Sequence, residues 1–243
     1  MRDYLPMDSF GADSAAVYDD QLRGDETETV DFLQELAGSG PVLELAIGTG
    51  RIALPLAQRG VRVDGIDLSE AMVARLRLKP GGDELSVVIG DFADVPIEGE
   101  YRLIYVVYNT FHNLLTQDDQ VRCFENVAKH LSPDGCFLIE AGLPSEYFGK
   151  GNTEYVKIDA LEKNVVALDV AQYDLATQIL TENHLSISEG GLRFAPIVTR
   201  FCWPSELDLM ARIAGLQLRD RWSGWKREPF DARSVMHVSV FGR

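Results

Sequence analysis

Residues 42–50 read VLELAIGTG, a short apolar run that breaks into a glycine-rich turn, and a helix follows from Arg51. A second run, VRVDGID over 61–67, ends on an acid. A buried strand, a glycine turn, a helix and another buried strand form the opening unit of a parallel sheet covered by helices on both faces. Gly48 and Gly50 lack a Cβ and tolerate positive φ, so backbone here can come close to a ligand. Asp67, ending the second strand, can accept hydrogen bonds from the 2′- and 3′-hydroxyls of a ribose. Together these features point to a nucleoside-containing ligand at the carboxyl ends of the strands, where strand order reverses.

The pattern continues downstream. Helices are expected over 14–22, 26–37, 51–59, 70–77 and 117–131, with Ser69 as the N-cap of the fourth. Further strands are expected over 85–91 and 103–109, and over 136–142 after a Pro133-Asp134-Gly135 turn. After Glu140 the periodicity changes. Residues 164–174, 177–188 and 192–203 alternate in the manner of antiparallel strands, separated by Asp174 and by Gly190-Gly191. Helical spacing returns over 204–214, and 216–222 and 235–241 read as the last strands of the main sheet. The organisation is therefore a main α/β domain over 1–142 and 204–243, with 143–203 inserted as a small antiparallel subdomain.

Composition narrows the partners. The formal net charge of -15 disfavours nucleic acid and anionic membranes. No apolar run nears the ~20 residues of a membrane span, and the N-terminus has no signal-peptide pattern, so a cytoplasmic location is expected. Cys123, Cys136 and Cys202 are too scattered for a disulfide framework or zinc site. The histidines His112, His130, His184 and His237 show no metal-ligand spacing, and no metal is expected.

Two ligands compete for the glycine turn. Gly48-Thr49-Gly50-Arg51-Ile52-Ala53 also satisfies the dinucleotide pattern that ends in alanine, so glycines alone leave a nicotinamide cofactor open. Glu44 tips the balance. A carboxylate inside the first strand would repel a pyrophosphate but suits a cationic sulfonium bearing an α-amino group. The alternative for Glu44 is a buried cap on the loop backbone.

At this point the chain resembles the class I S-adenosylmethionine-dependent methyltransferases. Glu44-x-Ala46-x-Gly48-x-Gly50 is similar to their first motif, with Ala46 where a glycine is usual. GIDLSEAM (65–72) resembles the second, Gly90-Asp91-Phe92 the third, LIYVVYNTFHNL (103–114) the fourth and LSPDGCFLIE (131–140) the turn into strand five. The acid usual early in strand four is missing from Tyr101-Arg102-Leu103-Ile104. The likeness covers roughly 14–142 and, more loosely, 204–243. It implies a doubly wound, seven-stranded, mostly parallel sheet of order 3-2-1-4-5-7-6, with S-adenosylmethionine as cofactor and S-adenosylhomocysteine as product. It places Asp67 on the ribose, Leu68 and Met72 near the adenine, Asp91 at the adenine amino group and Phe92 on the ring. The inserted sheet is similar to that of small-molecule N-methyltransferases, including sugar N,N-dimethyltransferases. There such an insertion roofs the active site or joins subunits, so a homodimer through the sheet is a further expectation.

Other candidates follow from position. Tyr18 lies in the N-terminal helix that often closes over the cofactor in this family, and Arg51 starts the glycine-loop helix; both are cofactor candidates. Tyr108 is a cofactor candidate and Asn109 a substrate candidate at the end of strand four. His112 follows as the candidate catalytic base, against a purely local packing role. Glu140, Tyr147 and Trp222 are the remaining substrate candidates. The reaction expected is methyl transfer to an N or O nucleophile of a small molecule. The alternatives are a non-methylating reaction on the same cofactor, a nicotinamide oxidoreductase, and a non-catalytic binding module.

Overall fold

Caps read from the sequence set several of the helix ends. The computed structural model describes residues 4, 6–20, 26–144 and 153–243. Two short helices, α1 (Pro6–Ser9) and α2 (Ala12–Val17), and a 3-10 turn at Tyr18–Asp20 form the N-terminal segment. Helix α3 (Thr27–Ala37) ends at Gly38, which takes φ 57° so that its N–H reaches the Gln34 carbonyl. After β1 (Val42–Leu45), α4 (Ala53–Gln58) and β2 (Val63–Asp67), helix α5 (Glu70–Arg77) is capped by Ser69, whose Oγ accepts from the Met72 N–H at 3.2 Å. Strands β3 (Ser86–Ile89) and β4 (Tyr101–Val106) precede α6 (Gln117–His130), where Thr116 caps and Asp118 and Asp119 complement the first turn. Then come β5 (Leu131–Gly142), β6 (Glu154–Leu161), β7 (Val165–Asp174), β8 (Ile179–Ser188), β9 (Gly191–Arg200), α7 (Pro204–Ile213), β10 (Gln217–Trp222) and β11 (Met236–Gly242).

The main sheet has the order β10-β11-β5-β4-β1-β2-β3. Counting β10 and β11 as its sixth and seventh strands, this is the expected 3-2-1-4-5-7-6. β1 pairs in parallel with both β2 and β4, which puts the reversal of strand order beside its carboxyl end. β11 runs antiparallel to β5, and β10 antiparallel to β11, so β10 ends on the same edge as β1. The central strands are buried along their length, hence their unbroken apolar runs. Side chains alternate between two cores: Leu43, Ile104, Phe137 and Phe241 face α6 and α7, while Val42, Leu103, Leu138 and Val240 face α3 and α4. Phe124 of α6 anchors the first core, edge-on to Phe111, Phe137 and Phe241 at 5.1–5.6 Å.

Several boundaries depart from expectation. β4 stops at Val106 because Tyr108 and Asn109 both take positive φ, which no strand continues. β5 begins at Leu131: Tyr101 pairs with Leu131 and Leu103 with Cys136, so Pro133-Asp134-Gly135 bulges within the strand instead of preceding it. The small sheet has the order β6-β7-β8-β9, one strand more than expected. The unforeseen strand, EYVKIDAL, carries charges on an exposed edge that blur its alternation. Replacing Phe124 by Ala should lower unfolding free energy by ~3–5 kcal/mol, read as a lower urea midpoint at unchanged slope.

Candidate cofactor and acceptor site

The loop after β1 passes through φ 60° at Ala46, 57° at Gly48 and 77° at Gly50. Gly48 turns its N–H towards β2, where it donates to Asp67 Oδ2 at 2.6 Å. The Ser69 N–H donates to Asp67 Oδ1 at 2.8 Å. A carboxylate offers about four lone-pair positions, so each oxygen keeps one for a ribose hydroxyl. Gly50 has a different reason to be glycine. A Cβ there would meet Leu76 Cδ1 at 2.3 Å, so its absence lets the loop pack on α5.

These groups form one wall of a cleft at the carboxyl edge of the sheet. Of the sequence-expected residues, Tyr18, Ala46, Gly48, Asp67, Leu68, Met72, Asp91 and Phe92 line it together. Leu68, Met72 and Phe92 supply apolar surface for a flat ring; the Asp91 Oδ1 accepts from the Ala93 N–H at 2.8 Å. Phe10, Ser69, Thr110, Asn113 and Leu114 also line the cleft and escaped sequence reasoning. Ser69 was visible only as a helix cap, yet its Oγ also donates to the Phe10 carbonyl at 2.5 Å, holding the N-terminal segment down. Phe10 sits in a segment without readable periodicity, and the other three follow β4 inside the stretch that carried the family likeness.

The remaining described candidates are absent from the cleft lining. Arg51 fastens the N-terminal segment: it donates to the Tyr18 carbonyl at 3.2 Å and to Glu26 Oε1 at 3.3 Å. Beside it, Asp19 accepts from Thr49 Oγ1 at 2.7 Å and pairs with Lys79 at 2.8 Å. The Tyr108 N–H donates to Glu140 Oε2, and Asn109 Oδ1 accepts from the Gly142 N–H. Burial pushes the Glu140 carboxyl up to about 7. Trp222 is drawn away by packing, edge-on to Phe32 of α3 at 5.4 Å, with the Arg227 guanidinium over its ring. Tyr147 lies outside the described residues.

His112 is buried beside Arg200 and Glu206, and its Nε2 has no partner. Burial, reinforced by the Arg200 charge, pulls it down to about 4. It is neutral near pH 7 but holds a proton too weakly to be an efficient general base. His184, with no ligand-like spacing in the sequence, is brought by cross-strand pairing to 2.6 Å from Asp169, and Glu182 of its own strand lies 3.7 Å away.

Glu44 takes the capping role. Its Oε2 accepts from the Tyr105 hydroxyl at 2.8 Å, and its carboxyl also accepts from the Ala53 N–H at the start of α4. Burial, added to by the Asp67 charge, pushes it up to about 8. The unfolded chain therefore releases this proton near 4.5 and the folded chain only near 8. Stability associated with the neutral form is fully present below the first value and falls as pH rises through the second. Glu44→Gln should remove this loss: urea titrations at pH 5 and pH 8 should show the unmodified chain losing ground to the variant at the higher pH. Equal pH dependence in both would refute the assignment.

Comparison with known proteins agrees with the geometry. The methyltransferase domain family matches residues 42–135. The CcbJ methyltransferase of Streptomyces caelestis is 37% identical, with a TM-score of 0.89 over 96% of this chain and 97% of that one. A cypemycin N-terminal methyltransferase from Streptomyces sp is 27% identical over 204 residues, 83% of this chain and 82% of that protein. The fold is shared with S-adenosylmethionine-bound CalS10, an amino pentose methyltransferase from Micromonospora echinaspora, at 19% identity, a TM-score of 0.65, and 94% and 90% coverage. Neither the nicotinamide nor the non-methylating alternative is favoured by this set. The chain belongs to the class I S-adenosylmethionine-dependent small-molecule methyltransferases.

Proposed function

We propose that this enzyme methylates an amine nitrogen of a small molecule of secondary metabolism. The observation that carries this reading is the chemistry of the cleft wall. Among the described residues lining it, the titratable groups are Tyr18, Asp67 and Asp91, and both acids accept backbone N–H bonds. A hydroxyl acceptor needs a base to strip its proton in the transition state, and the candidate base His112 is buried, absent from the described cleft lining and weakly basic. A neutral amine attacks with its own lone pair and can lose its proton afterwards. Relatives named as acting on an N-terminus or an amino pentose support the same class.

When bound, S-adenosylmethionine supplies a methyl group on a positively charged sulfur that leaves as a neutral thioether. The residues present fit this group. Asp67 would offer its remaining lone pairs to the ribose, Leu68, Met72 and Phe92 would hold the adenine on apolar surface, and Asp91 would meet the adenine amino group. The chain's work is alignment and exclusion of water. The segment with Phe10 and Tyr18, latched by Arg51, Asp19 and Ser69, closes the cleft over the cofactor.

Residues 143–203 serve as an acceptor and pairing subdomain in this reading. One face of the small sheet is apolar in register: Ile158, Leu168, Leu185 and Phe194 form one row, Leu161, Val166, Ile187 and Leu192 another. Ile158, Leu161 and Phe194 are 61%, 73% and 59% exposed. Monomers rarely expose a contiguous apolar patch beyond a few hundred Å², and a second copy of the same face is the simplest cover. Among the described residues no helix is long and apolar enough to cross a membrane.

Titration calorimetry should show S-adenosylhomocysteine binding that Asp67→Asn weakens by about tenfold or more, the scale of a lost charged hydrogen bond. Labelled methyl transfer across matched amines and alcohols should favour the amines; transfer to alcohols alone would overturn the acceptor class. Light scattering should report a dimer that Ile158→Glu with Phe194→Glu converts to monomer. A monomer in the unmodified chain would discard the pairing.

A further inference from the structure

We propose that Glu140 is a positioning residue: its carboxylate holds the left-handed Tyr108–Asn109 turn that sets the far wall of the cofactor cleft. β4 leaves the sheet through two consecutive non-glycine residues at φ 57° and 61°. Asparagine tolerates this region, whereas a tyrosine is there only when its surroundings hold it. The surroundings here are the end of β5. Glu140 Oε2 accepts the Tyr108 N–H, and the Gly142 N–H is accepted by Asn109 Oδ1. One side chain from β5 thus ties the β4 exit, and one side chain from the β4 exit ties β5.

The turn has two outputs. The following 3-10 turn, Thr110–Asn113, leads into Leu114, and Thr110, Asn113 and Leu114 line the cleft. It starts from this clamp, with the His112 N–H on the Asn109 carbonyl at 2.9 Å. The second output is the Tyr108 phenol, which lies within electrostatic range of Glu26, Arg51 and Glu44. It therefore stands beside the N-terminal segment and the glycine loop that carry Tyr18, Ala46 and Gly48. Glu140 is absent from the described cleft lining, and it reaches the cofactor only through this turn. That separates it from the role of a direct anchor for the acceptor's charge. Without the carboxylate, the Tyr108 N–H loses its acceptor in a half-buried position, and the turn can relax to the right-handed region.

Titration calorimetry with S-adenosylhomocysteine tests this without knowledge of the acceptor. Glu140→Ala should weaken binding about tenfold, the scale of one unmade hydrogen bond. Glu140→Gln, whose Oε1 accepts the same N–H, should stay within about threefold of the unmodified chain. Glycine adopts the turn unaided, so Glu140→Ala should cost little further affinity in a Tyr108→Gly background. That comparison also decides the matter if Glu140→Ala alone fails to fold, because Tyr108→Gly should then restore folding. Unaltered affinity in folded Glu140→Ala overturns the proposal, as does a Glu140→Gln variant as weak as the alanine. Equal losses from Glu140→Ala with and without Tyr108→Gly would also overturn it. Absence of binding by the unmodified chain would instead overturn the cofactor assignment.

Discussion

The paired hydrogen bonds from Gly48 and Ser69 to Asp67 are the constraint on which the cleft depends. They tie the end of β2 to the loop after β1 across the point where strand order reverses. Burial alone would push the Asp67 proton affinity up, and it does; the two backbone donors pull it back. The same donors fix the carboxylate's orientation, so its remaining lone pairs face the cleft. Gly48 can aim its N–H this way only at φ 57°, which is why a side chain is unwelcome there. Ser69 extends the arrangement: as an N-cap it starts α5, and its hydroxyl holds the N-terminal segment over the ligand side. Local caps, needed in any case to finish a helix and a strand, become the frame of the binding site.

The parts of this site that are local in sequence were legible, and those assembled by register were not. Buried strands announced themselves as apolar runs because parallel pairing hides both faces. Asp67, Leu68, Met72, Asp91 and Phe92 reached the cleft because each sits a fixed short distance beyond a strand end. β6 was missed, since an exposed edge strand carrying Lys157 and Asp159 has little alternation to read. Trp222 shows the opposite failure. Its strand does end on the active edge, but Phe32 and Arg227 offer better packing on the α3 side than the cleft could. His112 followed β4 as expected, yet the turn at Tyr108–Asn109 rotates the chain so that the imidazole enters the interior beside Arg200. Nothing in the residue string signals two successive left-handed residues without glycine.

Glu44 and Glu140 complicate any reading of charge from composition. Both occupy the active edge, Glu44 buried and Glu140 half-buried, and desolvation raises both carboxyls towards neutral pH or above. The site is thus less anionic than its formula implies until something favours ionisation. The argument that Glu44 selects a sulfonium over a pyrophosphate needs adjustment accordingly. The carboxyl touches Tyr105 and Ala53 first, and any attraction it exerts on a cation acts from behind the loop. The pyrophosphate alternative fails on family membership and on a loop shaped for Asp67, not on a carboxylate lining the cleft.

The two walls of the cleft differ in how each is held. The cofactor wall is backbone fixed by caps within a few residues of β1, β2 and β3, so a motif can encode it. The opposite wall depends on Glu140 meeting Tyr108 and on Asn109 meeting Gly142, contacts that exist only because β4 and β5 pair in one register. The small sheet adds a third level, since its rows of apolar and polar residues are created by pairing among strands separated by turns. A substitution near β1 is therefore felt mainly by the cofactor. A shift of register between β4 and β5 would move that opposite wall while leaving every motif around β1, β2 and β3 intact. The glycine loop alone points to the cofactor but not to what receives the methyl group.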